Sequence, residues 1–279
     1  MGLVINVRES GLAGDTKRIR VPRKAGGPKE RIETGVLNGY HAEVFREMGK
    51  QALESMRTRY MPQNPGVPFD VEAHVGPEQM PHQSAVALIN GMGVVDVDGV
   101  IKRDYNGYLG AIDFSKNPGY EISAYQGSDQ TENIEWMLQN PDRNLHKAEG
   151  VEEAASRVLK YVVKLIKKST GMDVAPDIKG RSFGDDKNIW FEVITPYESG
   201  LASVVAARLV DPGAKELRVL PGGEAYRPGE GFHIYVPAHK FTGRDSEGPP
   251  WTESIDVDIG NGTPRNMDFE KLGKLASWQ

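Results

Sequence analysis

The chain contains no cysteine among its 279 residues. Disulfides, thiolate metal sites and cysteine nucleophiles are therefore excluded. Long apolar runs are also missing: no uncharged hydrophobic stretch reaches the roughly 20 residues that a spanning helix needs. No signal peptide is expected at the start, and "MGLVIN" lacks the Ser or Thr of an N-myristoylation motif. Neither sign of charge dominates. The formal net charge is −5 with acids and bases interspersed, so nucleic acid is a possible partner that the overall charge does not indicate. Hydrophobic residues total 38%, enough for a core but not a generous one. These absences are compatible with a cytoplasmic chain that has no membrane partner.

Glycine and proline are plentiful, at 32 and 18 residues, which predicts many turns, short strands and extended loops. Residues 1–37 read as an extended N-terminal arm. Val4, Ile5 and Val7 could add one strand, but "RKAGGPKERIETG" has too little apolar content to fold alone. Residues 38–145 read as a helix followed by an antiparallel meander. The helix, over 39–60, carries Val44, Phe45, Met48, Ala52, Leu53 and Met56 at helical spacing. From residue 69 to 125, runs such as "FDVEAHV", "SAVALI" and "GVIKRDY" are rich in β-branched and aromatic residues, with turn residues between them. "DVDG" at Asp96–Gly99 reads as a hairpin turn.

Residues 146–279 read as a C-terminal α/β unit with a loop-rich tail. A strongly amphipathic helix over 149–169 opens on Glu149, Glu152 and Glu153 and closes on lysines, in agreement with the helix dipole. The strand "NIWFEVI" leads to a helix "YESGLASVVAARLV", with Thr195-Pro196-Tyr197-Glu198 as its capping box. A strand is expected within "DPGAKELRVLPGG" and another in "FHIYVPAHKF". "PGGEAYRPGEG" between them lacks the lysine and Ser/Thr of a phosphate-binding P-loop and reads as a connecting loop. The fold class is therefore α+β: an antiparallel meander with packed helices, a C-terminal mixed α/β unit and the arm.

Two family resemblances attach to residues 149–220. The order helix, strand, strand, helix, strand resembles the core of the PD-(D/E)XK nucleases. That resemblance implies a Mg²⁺ site held by carboxylates, where the metal activates water against a phosphodiester. Carried onto this chain it assigns Asp177 and Glu192 as metal ligands and Glu152 or Glu153 as the helix acid. Ile194 stands where the family has lysine, so Lys187 or Lys179 would supply the amine. The ordinary alternative is that Asp177 opens a turn and Glu192 lies on the solvent face of its strand.

The same helix with its Pro- and Gly-bearing turn and strand also resembles the neck and tail-completion proteins of tailed bacteriophages. That resemblance implies a structural subunit at the head-tail connection, forming rings with its own copies and other virion proteins, with no cofactor and no catalytic residues, located in the virion. On this reading Lys17, Arg18, Arg20, Arg23, Lys24 and Arg31 of the arm contact a neighbouring subunit, and Trp251 anchors a second contact. The structural subunit is the leading expectation, with an enzyme disfavoured, and the nuclease is the alternative. A soluble binding protein of unknown ligand is the third.

Overall fold

The computed structural model describes residues 2–10, 17–18, 33–34, 37, 39–60, 69–110, 130–140, 150–170, 189–195, 200–237 and 254–277. The first strand, β1 (Gly2–Arg8), carries the largest structural burden. Its apolar residues point both ways, as expected of a strand covered on both faces. Leu3, Ile5 and Val7 enter one buried cluster, and Val4 enters another on the opposite face. Such a strand belongs at the centre of a sheet. Here it sits between β6 (Ile189–Thr195) and β7 (Gly231–Pro237), parallel to the first and antiparallel to the second.

The sheet has seven strands in the order β5-β4-β6-β1-β7-β8-β9. Strand β4 (Phe69–Val75) and the short β5 (Ile101–Arg103) continue the parallel half. Strands β8 (Ser254–Asp258) and β9 (Arg265–Asp268) continue the antiparallel half. The separate pair β2 (Lys17–Arg18) and β3 (Glu33–Thr34) is antiparallel. The α+β class is therefore observed, with a mixed central sheet.

Helices cover both faces. Helix α1 (Gly39–Tyr60) and α2 (Gln79–Gly91) lie on the face of Val4, Ala73, Val75 and Val193. They approach so closely that a Cβ on Gly49 would overlap the Leu88 carbonyl, and one on Gly91 would overlap the Arg46 carbonyl. Helices α4 (Gln130–Gln139), α5 (Val151–Thr170), α6 (Leu201–Val210) and α7 (Phe269–Ser277) cover the face of Leu3, Ile5 and Val7. Helix α6 is buried from Leu201 to Leu209, Arg208 included. The Arg208 guanidinium is neutralised by Glu152 at 3.1 Å, at the start of α5.

Several expectations are corrected. Gly2–Arg8, at the head of the expected arm, is a central strand, and strands from 1–37, 38–145 and 146–279 meet in one sheet. The antiparallel meander is not formed over 69–103. "SAVALI" lies in α2, because Met80, Ser84, Ala85, Leu88 and Ile89 are buried at helical spacing. Asp96 makes no hairpin; it caps the short helix α3 (Val97–Val100), accepting from the Gly99 amide at 3.3 Å. No strand forms between Asp211 and Glu230, where the chain runs through turns. Within the tail, "SIDVD" buries Ile255 and Val257 by strand alternation, and α7 buries Phe269, Leu272 and Leu275 at helical spacing.

Two outcomes follow from this architecture. Deleting residues 1–8 removes the strand between β6 and β7, so circular dichroism should show loss of cooperative thermal unfolding, not a trimmed but intact fold. Gly91→Ala should destabilise by about 1–3 kcal/mol through overpacking at the α1–α2 crossing, despite the better helix propensity of alanine. Chemical denaturation would show it as a lower midpoint with an unchanged slope.

Candidate anion-binding site

The parallel strands end on one side of the sheet. There the elements that follow two neighbouring strands part company: α1, after β1, packs on one face, and α6, after β6, packs on the other. In open sheets ligands sit outside the carboxyl ends of strands at such a divergence. Three consecutive polar residues stand at the end of β1: Arg8, Glu9 and Ser10. Strand alternation sends Arg8 to the α1 face and Glu9 to the α6 face.

Glu9 is 1% exposed. Its carboxylate accepts from the Gly200 amide at 2.8 Å, the Ser203 amide at 3.0 Å and the Ser203 hydroxyl at 2.7 Å. These are the orphan donors at the start of α6, and an acid there also matches the helix dipole. Gly200 has φ +93°, and a Cβ there would overlap the Ile134 side chain, so the approach to α6 suits glycine alone. The positive end of α6 is thus filled from within the chain. Ser203 passes the connection on, as its hydroxyl accepts from the Tyr226 amide at 2.9 Å.

Arg8 faces a cavity of about 590 Å³. Its Nη2 donates to the Asn6 side-chain oxygen at 2.7 Å, and its Nη1 reaches the Gly229 carbonyl at 3.4 Å. Both acceptors are neutral. The buried Nε has no hydrogen-bond partner, and among the described residues no carboxylate lies within ion-pair distance of this guanidinium. Burial pushes the Arg8 pKa down to about 10, while Tyr226 and Glu230 act in the opposite sense. A lowered pKa on a base means that the folded state disfavours its charge. That cost is present at every pH below about 10 and fades only as pH rises towards the unfolded value.

The opposite wall comes from the 221–231 segment. The Glu230 carboxylate accepts from the Arg227 amide at 2.8 Å, and the Gly229 amide donates to the Glu9 carbonyl at 3.0 Å. Gly231 lies so near β1 that a Cβ would overlap the Val7 carbonyl. The Tyr226 hydroxyl donates to the Ile259 carbonyl at 2.7 Å. Burial, then the charge of Glu9, pushes this phenol far above its ordinary pKa, so it stays protonated. Met48, Ala52 and Ser55 of α1 close the third side.

No protein-family model matches the chain, and no curated protein matches it. Among solved structures, a mycobacterial hydrolase, "Mycobacterial hydrolase 2", is similar at 13% identity and TM-score 0.44, over 99% of this chain and 96% of that one. A Hafnia alvei phytase in complex with myo-inositol hexakis sulphate is similar at 13% identity and TM-score 0.42, over 99% of this chain and 86% of that one. A Klebsiella sp. ASR1 phytase is similar at 12% identity and TM-score 0.36, over 99% and 85%. At these values no activity carries over to this chain.

The comparisons nevertheless correct the sequence expectations. The structures found are hydrolases and phytases, in place of the expected phage neck proteins or PD-(D/E)XK nucleases. The virion subunit, its head-tail location and the lean away from an enzyme are withdrawn, and so is the nuclease alternative. Among the described residues, no helix is long and apolar enough to cross a membrane.

The residues singled out by sequence do not assemble. Asp177 and Lys187 lie outside the described residues, as do Arg20, Arg23, Lys24, Arg31 and Trp251. Lys17 and Arg18 form β2. Glu192 lies in mid-strand between Ile5 of β1 and Glu72 of β4, in the interior of the sheet and not at an edge. Glu152 is engaged by Arg208 and by Lys215, the latter at 3.0 Å. Among the described residues, no group of three or more His, Asp or Glu side chains is placed to hold a metal ion. Arg8 was hidden within the expected arm. Its signal was a charged residue ending an apolar alternating run, "LVINVR". The cavity wall was visible only as the glycine-rich loop "PGGEAYRPGEG".

Glu9→Ala should leave the buried donors of Gly200 and Ser203 unsatisfied and destabilise by about 1–3 kcal/mol. Glu9→Gln, which keeps an acceptor, should cost less. Urea denaturation of the two variants checks the ranking.

Proposed function

We propose that the chain takes a small anionic molecule into the cavity at the end of β1 and holds its anionic group on Arg8. The observation that carries this reading is a half-buried guanidinium whose buried Nε has no partner and which has, among the described residues, only neutral acceptors. A charge withdrawn from water normally has an ionised partner. Here an incoming anion would supply it and relieve the cost of desolvation. Position supports the reading, because the cavity lies beside the divergence of α1 and α6. Size supports it too, since about 590 Å³ falls within the range of small-molecule sites. The positive end of α6 is already filled by Glu9, so among the described residues the cations that line the cavity, Arg8 and Arg227, are its anion-directed groups.

Thermal unfolding with phosphate, sulfate and acetate tests the proposal. At least one anion should raise the melting temperature of the wild type, by the several degrees that correspond to about 2.7 kcal/mol at a hundredfold excess over Kd. Arg8→Gln should keep the fold, seen as an unchanged near-ultraviolet dichroism spectrum, and lose that response. An anion response of equal size in Arg8→Gln would overturn the assignment, as would its absence in the wild type.

A further inference from the structure

The cavity that holds Arg8 is not simply cationic. Among the described residues its charged lining is Arg8, Arg227, Glu224 and Glu230, whose formal charges sum to zero. Glu230 is close enough to Arg8 to favour its protonated form, yet the two make no ion pair. One Glu230 oxygen accepts from the Arg227 amide. No other hydrogen bond engages the carboxylate among the described residues. The site therefore presents a cation and a carboxylate to the same space without closing them on each other.

Charge balance makes a plain dianion a poor occupant. Its attraction to Arg8 and Arg227 is offset by repulsion from Glu230 and Glu224, and with two charges of each sign the net pull is small. A ligand carrying both signs meets no such conflict. Its anionic group satisfies Arg8, and its ammonium group donates charge-assisted hydrogen bonds to Glu230. Met48, Ala52 and Pro221 add apolar surface beside these charges, suited to a short hydrocarbon body.

We infer that the occupant of the Arg8 cavity is a small zwitterion, an amino acid or a close relative, with its carboxylate on Arg8 and its ammonium on Glu230. This rests on the anion-binding reading above and sharpens it to a substrate class. Glu230 is then the residue that sets specificity, and Arg8 the residue that sets affinity.

Calorimetry on the full chain separates the two. Glycine, leucine and 4-aminobutyrate are each compared with the acid lacking the amino group, namely acetate, 4-methylpentanoate and butyrate. Leucine is also compared with 2-hydroxy-4-methylpentanoate, and all with inorganic phosphate. In at least one pair the amino acid should bind about tenfold tighter than its deaminated partner, the value of one charge-assisted hydrogen bond. Glu230→Gln retains an acceptor for the Arg227 amide and should bring that ratio to about one. Equal binding within every pair, with Arg8 still required, overturns the zwitterion and leaves the anion site standing. A hydroxy acid as tight as leucine overturns the ammonium assignment, as does phosphate binding tighter than every amino acid. If no compound shows binding that depends on Arg8, the anion site falls and the inference falls with it.

Discussion

The carboxylate of Glu9 and the first turn of α6 hold each other in place, and much of the molecule is arranged around that contact. Glu9 is the first residue beyond the central strand, and α6 is the most buried helix of its layer. A helix buried all round cannot satisfy its first amides with water. The strand supplies the missing acceptor across the chain, from a residue 191 positions away from Gly200. Ser203 extends the same connection to Tyr226, and Tyr226 reaches Ile259. One buried carboxylate thus sets the relation between the sheet, a helix and the loop that walls the cavity.

The alternation of a single strand then separates structure from function. Glu9, directed to the α6 face, is saturated with donors. Arg8, one residue earlier and directed to the α1 face, is left with neutral acceptors and a bare Nε. Half-burying a guanidinium without a carboxylate costs stability, and an apolar residue would avoid that cost. Local conflict of this kind is what functional sites look like in an otherwise consistent fold. The close backbone approach at Gly231 and the turn through Gly229 bring Glu230 beside Arg8, so the cavity gains an acid from the residue just before β7, the strand that pairs antiparallel to β1.

Local periodicity was enough to place α1 and α5, and the strands β4, β6 and β7, because each buries a face through its own spacing of apolar residues. It failed where the signal was ambiguous. "SAVALI" is short and apolar, and a helix and a strand bury such a run equally well. The tail looked polar because its apolar residues alternate with acids in β8 and stand three or four apart in α7. Residues 2–8 precede a basic stretch of low apolar content, and seven residues are too few to announce a central strand.

The sequence by itself determined the α+β class, the absence of thiol chemistry and the helices α1, α5 and α6, since these depend on residue identity and short-range spacing. Tertiary structure alone decided which carboxylates meet which donors. Glu152 and Glu9 are both acids near helix starts, yet the first pairs with arginine and lysine while the second caps a helix from a distant strand. It also decided that Arg8 and Glu230, 222 positions apart in the sequence, share one cavity. No local pattern encodes that meeting, because it follows from the pairing of β1 with β7 and from the layers of helix that enclose them.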